Sequence, residues 1–438
     1  MANLELGAGG DLWQRAKELI PGGSMLLSKR AEMYLPKGWP AYFSRTSGCS
    51  VWDLEGREFI DVSMMGIGTN ILGYSHPVVD AAVHATVDQG NLSTLNAPEE
   101  VFLAEKLIEL HPWADMVRFA RSGGEVGAIA IRIARAASGK DKIAFCGYHG
   151  WHDWYLSANL SEDDSLDGHL LPGLEPNGVP RALAGTAVPF TFNNLDELRS
   201  ILESGDVGVI FMEVQRSTPP APGFLEGVRA LATQFNAVLV FDECTSGFRR
   251  NLGGLHQFFG VEPDMATFGK TLGNGYAITA VIGRREIMEA AQTSFISSTF
   301  WTERIGPSAA LAALSVMADL EAPAKVHEIG THVQHTWEEL GSAHGLSITT
   351  GGLPALANFT VGGLDPLLVK TYVTTRMLEF GYLGSTSFYA SIAHTPQVLE
   401  PYFTALDSVF AELATMDDSE LARQLPYGPA QSGFKRLT

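Results

Sequence analysis

The sequence predicts an α/β protein with a large lobe, built on a mostly parallel sheet flanked by helices, and a smaller α+β lobe. Three observations predict it. Short continuous apolar runs, "KIAFCG" (142–147), "VGVIFMEV" (207–214) and "AVLVFDE" (237–243), alternate with segments of helical periodicity between residues 77 and 315. Runs of this kind suit strands buried on both faces of a parallel sheet. The 438 residues are also about three times a typical domain length, so more than one packed lobe is expected. Finally, 46 glycines exceed the average share and point to many tight turns and close backbone approaches.

A short amphipathic helix is predicted over 11–20 and is stopped by "PGG" at 21–23. "CSVWDLEGREFIDV" (49–62) alternates around an acidic-glycine turn and reads as a hairpin. Residues 1–76 are assigned to an N-terminal arm and part of the small lobe. The large lobe is assigned to 77–315. Within it "EEVFLAEKLIEL" (99–110) is helical, "MVRFAR" (116–121) a strand and "EVGAIAIRIARAAS" (125–138) helical again. The three apolar runs and "DMATFG" follow as strands, and "PSAALAALSVMADLEA" (307–322) as a helix. Residues 316–438 are mixed α+β and complete the small lobe. No repeat or low-complexity segment is visible.

Composition narrows the function. A net charge of −19 argues against nucleic acid, whose phosphates demand a basic stripe, but leaves room for a small anion at a locally positive site. Cys49, Cys146 and Cys244 lack C-x-x-C spacing and read as reduced thiols of a cytoplasmic protein. The N-terminus has no basic segment followed by an apolar run, and no apolar stretch approaches the roughly 20 residues that span a bilayer. A soluble, cytoplasmic protein without a membrane partner is the expectation.

Polar clusters follow the strands, where parallel sheets bind ligands. "RSGGE" (121–125) opens a helix, so the amides of Gly123 and Gly124 and the Ser122 hydroxyl can converge on an anion; a plain turn capped by Glu125 fits as well. "DECTSGFR" (242–249) delivers two carboxylates at the end of the most apolar strand, either aimed into a cleft or merely terminating the strand. "GYHGWHDW" (147–154) carries His149 and His152 at i, i+3, a spacing open to metal ligation, but with no third ligand nearby aromatic packing is the better reading and no metal is expected. "TFGKTLGNGYA" (267–277) places Lys270 among glycines. The "GKT" triplet is not a phosphate-binding P-loop, because that motif requires a glycine where Asp264 stands. Lys270 is then a surface lysine or a confined nucleophile. Jointly, an amine for an aldehyde, a carboxylate for a protonated ring nitrogen and an amide turn for a phosphate are the handles that pyridoxal 5′-phosphate needs.

These residues carry a resemblance. The motifs "RAKELIPGG", "VWDLEGREFIDV", "LGYSHPVV", "RSGGE", "FDECTSGFR", "FGKTLGNGYAITAVIGRREIM" and "SIAHT" cover nearly the whole chain. It resembles the class III aminotransferases of the fold-type-I pyridoxal phosphate enzymes, closest to the glutamate-1-semialdehyde aminomutase branch. The resemblance implies that Lys270 forms the Schiff base with the cofactor and that Asp242 pairs with its ring nitrogen. It implies that Ser122, Gly123 and Gly124 hold the phosphate, that Tyr148 stacks on the ring, and that Glu213 and Gln215 lie beside it. Thr299 resembles the threonine that reaches the neighbouring subunit's cofactor, which implies a homodimer with shared sites. Arg30 lies one residue off the position of that branch's substrate arginine, and Arg249 is either a structural partner or a substrate clamp.

Departures decide the expected reaction. "FWTERIGP" (300–307) stands where the branch has "SGNP", Tyr389 where a glutamate is expected, and Arg30 is one residue off; the phosphate turn also has "GGEVG" where "GTEA" is usual, without a side-chain hydroxyl at position 124. The expected activity is therefore an aminotransferase that moves an amino group from an amino acid donor to a keto acid or a keto or aldehydo sugar-type acceptor. Trp301 and Tyr389, with Arg30, are candidate pocket residues. The alternative is an aminomutase, or an amino acid racemase on the same scaffold.

Overall fold

The computed structural model describes residues 6–162, 164–169, 172–215 and 217–434; the first five residues of the N-terminal segment read above lie outside it. Its strands, in chain order, are β1 (Phe43–Ser47), β2 (Ser50–Asp53), β3 (Glu58–Asp61), β4 (Met116–Ala120), β5 (Lys142–Cys146), β6 (Ala187–Pro189) and β7 (Val207–Glu213). They continue as β8 (Val238–Asp242), β9 (Met265–Phe268), β10 (Thr279–Gly283), β11 (Ile348–Gly351), β12 (Leu356–Val361), β13 (Tyr382–Leu383) and β14 (Ser387–Tyr389). The chain forms two compact units, one of Pro77–Ala324 and one of Met1–His76 with Lys325–Thr438.

In the first unit seven strands form a sheet in the order β4-β10-β9-β8-β7-β5-β6. From β6 to β9 neighbours are parallel. β10 is antiparallel to both β9 and β4, so β4 runs with the other parallel strands. The apolar runs are strands for the reason their composition implies: every residue of β7, β8 and β9 is buried. Against them lies the helix Gly123–Ser138, whose Val126, Ile129, Ala130, Ile133 and Ala134 form one stripe at i, i+3, i+4, i+7 and i+8. The stripe meets Phe145, Phe211, Val240 and Val281 in the central core, where burying each phenylalanine contributes roughly 2 kcal/mol. The helix expected over 307–322 is Ile305–Asp319; Leu320 and Glu321, the latter left-handed at φ 51°, separate it from a second helix, Ala322–Ala343. Among the described residues no single helix is long and apolar enough to cross a membrane.

The second unit holds two small sheets, β1-β2-β3-β13 and β11-β12-β14. The expected hairpin is β2 and β3, its turn fixed by Asp53, whose Oδ1 accepts the amides of Glu55 and Arg57 at 3.0 and 2.9 Å. Trp13, Leu35, Trp39, Phe59 and Leu378 form its N-terminal core. Asp61, at the end of β3, accepts the amides of Ser63 and Met64 and the Tyr74 hydroxyl, and its carbonyl accepts from His394 Nε2 at 2.8 Å. This hub gathers the "FIDV", "LGYSHP" and "SIAHT" motifs.

Candidate active site

The parallel strands β4, β5, β7, β8 and β9 end at one sheet edge, the edge at which parallel sheets bind ligands. After β4, Ser122 caps the helix Gly123–Ser138. Its Oγ accepts from the Glu125 amide at 3.5 Å, while Glu125 Oε2 accepts the amides of Ser122 at 2.9 Å and Arg121 at 3.0 Å. The capping box leaves two amides over: those of Gly123 and Gly124 have no partner among the described residues, at the positive end of a 16-residue helix, where an anion would be favoured. A Cβ on Gly123 would meet nothing within 4 Å, so the turn is open there.

After β5, Gly147 and Gly150 sit at φ 114° and 96°, a region L side chains rarely adopt. Space forbids a side chain too: a Cβ on Gly147 would lie 2.6 Å from Glu213 Oε2, and one on Gly150 would lie 2.9 Å from the Gly124 Cα. The loop therefore lies over the helix N-terminus. Between the glycines, the Tyr148 amide donates to Glu213 Oε2 at 3.1 Å.

His149, next in this loop, is fully enclosed by Phe145, Trp154, Tyr155 and Phe211 and is tied to Asp242 rather than to any metal. Nδ1 is 2.8 Å from Asp242 Oδ2 and Nε2 is 3.1 Å from the Cys146 carbonyl. Both ring nitrogens face acceptors, a carboxylate on one side and a backbone carbonyl on the other. Asp242 Oδ1 accepts the Cys244 amide and the Thr267 hydroxyl, each at 3.0 Å. Burial works to raise the Asp242 carboxyl. The His149 hydrogen bond and charge, with the other two donors, outweigh it and hold the group below the ordinary carboxylate value. About 11% of the Asp242 side chain remains exposed at the sheet edge.

Lys270 follows β9, the strand paired with β8, in left-handed conformation at φ 43°, which costs roughly 1 kcal/mol for a residue with a Cβ. Its Nζ donates to Thr245 Oγ1 at 2.8 Å. Gly269 packs beside Cys244 and Thr279, the first residue of β10, and the Thr279 hydroxyl reaches the Ser122 carbonyl at 3.5 Å. The amine, the carboxylate and the amide turn are thus linked around one edge through Thr245, Cys244, Thr279 and Ser122.

Asp242 and Glu243 face opposite ways, as neighbours in a strand must. Glu243 is wholly buried and accepts four hydrogen bonds, from the amides of Leu255 and His256, the Ser246 hydroxyl and His256 Nδ1, at 2.7 to 2.9 Å. His256 Nε2 accepts from Trp113 Nε1, and His111 Nε2 accepts from the Gly254 amide, so both imidazoles are neutral. Burial raises the Glu243 carboxyl, but these donors bring it below its usual value. We expect Glu243→Gln to lower the unfolding free energy by about 3 kcal/mol, read from urea denaturation. A depressed carboxyl stabilises the fold above its unfolded pKa of about 4.3, and that stability is lost as pH falls through the lower folded value. His111, pushed down to about 4 by burial, acts earlier. The unfolded chain takes up that proton first, so stability also declines as pH falls from about 6.5. The variant should lose the Glu243 share of the lower step and keep the upper one.

Other residues singled out from the sequence have contacts of their own. Gln215 is buried just past β7. Thr299 is exposed at the head of a short 3₁₀ turn, Thr299–Thr302. Trp301 donates from Nε1 to Glu125 Oε1 at 3.3 Å and packs on the central core, so its indole braces the capping turn. Arg121 holds the same segment through the Trp301 and Glu303 carbonyls at 3.1 and 2.9 Å and through the Glu303 carboxylate at 2.8 Å. Arg249 is buried, with Nε donating to the Thr245 carbonyl at 2.6 Å, a brace within its own loop. Arg30 and Tyr389 belong to the other unit, where the Arg30 guanidinium lies against Gly22 and the Tyr389 amide donates to the Ser63 carbonyl at 2.7 Å. Sequence reasoning missed the pairing of His149 with Asp242 and the contact of Thr245 with Lys270. Among the described residues no group of three or more His, Cys, Asp or Glu side chains is placed to hold a metal ion.

The donor set fits a phosphorylated pyridine aldehyde: a primary amine, a buried and partly open carboxylate, and two unpartnered amides at a helix N-terminus. Fold and site together define a pyridoxal phosphate enzyme of fold type I. The chain belongs to the class III aminotransferases, whose family model matches residues 36–350, and it is a pyridoxal 5′-phosphate-dependent enzyme that transfers amino groups. It is 33% identical over 416 residues, 91% of each chain, to the 3-aminobutyryl-CoA aminotransferase of Cloacimonas acidaminovorans. It is 32% identical over 370 residues to the glutamate-1-semialdehyde 2,1-aminomutase of Methanothrix thermoacetophila, covering 82% of this chain and 83% of that one. The pyridoxal phosphate form of the FumI protein from Sphingopyxis sp. MTA144 shares its fold, with a TM-score of 0.84 at 24% identity over 94% of this chain and 99% of that one.

Proposed function

We propose that the enzyme moves an amino group from an amino acid donor to a keto acid, or to a keto or aldehydo sugar-type acceptor, with Lys270 and Asp242 as its central residues. One observation carries the reading: the loop 242–245 holds the buried carboxylate at one end and touches the lysine amine at the other. The bound cofactor supplies an aldehyde that carries the amino group and an electron-accepting ring. Lys270 would hold that aldehyde covalently and, when the donor's amine takes its place, would move the α-proton with Nζ. Asp242, kept ionised by His149, keeps the ring nitrogen protonated. The Gly123 and Gly124 amides, with the Ser122 hydroxyl, receive the phosphate. Tyr148 would stack on the ring, Gln215 would reach its hydroxyl, and Glu213 would lie beside it.

Thr299 is assigned to a second subunit's phosphate, in a homodimer with shared sites. Support comes from Leu95, Phe102, Phe295 and Phe300, large apolar side chains exposed on the same unit. Light scattering should give twice the chain mass; a monomer that is active would remove the dimer. The free cysteines support a reducing, cytoplasmic setting, which cell fractionation checks.

The departures at 300–307 and at Tyr389 favour the transferase over the aminomutase. Single amino donors added to the yellow holoenzyme should bleach the cofactor band and release the matching keto acid. Keto acids and keto or aldehydo sugars supplied afterwards should restore the band. Isomerisation of a substrate with no keto acid released would instead establish the mutase.

A further inference from the structure

We infer that Thr245 is a positioning residue for Lys270, holding its amine by one N–H so that the nitrogen lone pair faces the reacting carbon. The inference rests on the reading of Lys270 as the covalent anchor. It starts from the 2.8 Å contact between Lys270 Nζ and Thr245 Oγ1, made by a side chain that nothing else in the proposed chemistry uses.

The loop around Thr245 is fixed at successive points. The Cys244 amide donates to Asp242 Oδ1 at 3.0 Å, the Ser246 hydroxyl to Glu243 Oε2 at 2.9 Å, and the Gly247 amide to the Glu243 carbonyl at 2.9 Å. The buried Arg249 guanidinium grips the Thr245 carbonyl at 2.6 Å. The Thr271 hydroxyl donates to the Gly247 carbonyl at 3.0 Å, which ties the backbone beside Lys270 to the same loop. The loop and the lysine turn are therefore tied into one frame, from which the Thr245 hydroxyl meets Nζ. A lysine side chain has four rotatable bonds, so an amine without such a seat samples many orientations.

A neutral amine has two N–H groups and one lone pair, and the lone pair cannot point at an oxygen that accepts one of those N–H bonds. By accepting one N–H, Thr245 keeps the lone pair directed away from itself. The same orientation serves both tasks of Lys270. In capture of the cofactor aldehyde, the neutral amine attacks the carbonyl carbon, the carbon–nitrogen bond forms, and the oxygen leaves as water with both N–H protons. In proton transfer the lone pair accepts the α-proton of the donor.

The test compares Thr245→Val, which keeps the shape and loses the acceptor, with Thr245→Ser, which keeps the acceptor. Apoprotein is mixed with pyridoxal 5′-phosphate and the growth of the visible band is followed by stopped flow. Affinity for 4′-deoxypyridoxine 5′-phosphate, which lacks the aldehyde, is measured in parallel. We expect capture by Thr245→Val to slow about three- to tenfold, as loss of one hydrogen bond implies, with Thr245→Ser near wild type and the deoxy analogue bound equally by all three. Wild-type capture by Thr245→Val, or an equal loss of capture rate and analogue affinity, would overturn the proposal. Mapping the borohydride-fixed adduct separates the two readings. An adduct elsewhere than Lys270 removes the anchor assignment itself, whereas an adduct on Lys270 with unaltered capture removes only the role of Thr245.

Discussion

Lys270→Ala should bind pyridoxal 5′-phosphate and fold normally, yet lose at least about a thousandfold in amino-transfer rate. The fold should survive because alanine tolerates the left-handed φ of 43° no worse than lysine does, and because the turn is anchored by the Thr271 hydroxyl on the Gly247 carbonyl. Non-covalent binding should survive because the phosphate turn and Asp242 do not depend on the amine. The loss in rate follows from removing the group proposed to move the α-proton, for which Thr245 offers a hydroxyl of far too little basicity. Lys270→Arg makes the sharper companion. It keeps a cation near Thr245, but a guanidinium stays protonated at every working pH and neither attacks an aldehyde nor takes a proton. Steady-state rates, with thermal melting as a control on folding, decide the matter: a variant retaining a tenth of wild-type activity would refute the assignment.

Asp242→Asn should cost about a hundred- to a thousandfold in kcat/KM, the range seen when a preorganised charge at a reacting centre is removed. The amide is isosteric and has partners ready. Its oxygen can accept from the Cys244 amide and the Thr267 hydroxyl, while its NH₂ can donate to a neutral His149, which keeps its Nε2 bond to the Cys146 carbonyl. What disappears is the anion that would hold a proton on the ring nitrogen. A cofactor analogue with carbon in place of that nitrogen isolates the effect, because its affinity should be the same for wild type and variant. Acid stability supplies a second readout. The depressed Asp242 carboxyl stabilises the fold above its unfolded pKa of about 3.9, and that contribution fades as pH falls through its folded value. Asp242→Asn should remove this step.

Much of the larger unit was legible because a strand buried on both faces has no way to hide its composition. β5, β7 and β8 are short, apolar and followed by polar turns, and their boundaries lie within a residue of those read from the sequence. Strand direction was not legible. β10 is as apolar as its neighbours yet runs against them, and nothing in "TAVIG" encodes that. β6, three residues with a proline, carries too little pattern to register.

The site divides in the same way. Ser122, Gly123 and Gly124 announce a helix N-terminus through local chemistry alone. The different fates of Asp242 and Glu243 follow from strand alternation, but which of the two enters the site depends on which face the helices cover. His149 and Asp242 are 93 residues apart, and only the order of strands in the sheet brings them together. Thr245 and Lys270 are 25 apart and meet because Thr271 ties two turns together, a contact no local pattern predicts.

The most direct measurement is reductive trapping. Sodium borohydride added to the yellow holoenzyme should bleach the visible band and fix one cofactor per chain, and peptide mapping should place the adduct in the peptide containing "TFGKTLGNGYA", on Lys270. A protein that purifies without a cofactor band and cannot acquire one, or an adduct on any other lysine, would contradict the placement of the active site at the ends of β8 and β9.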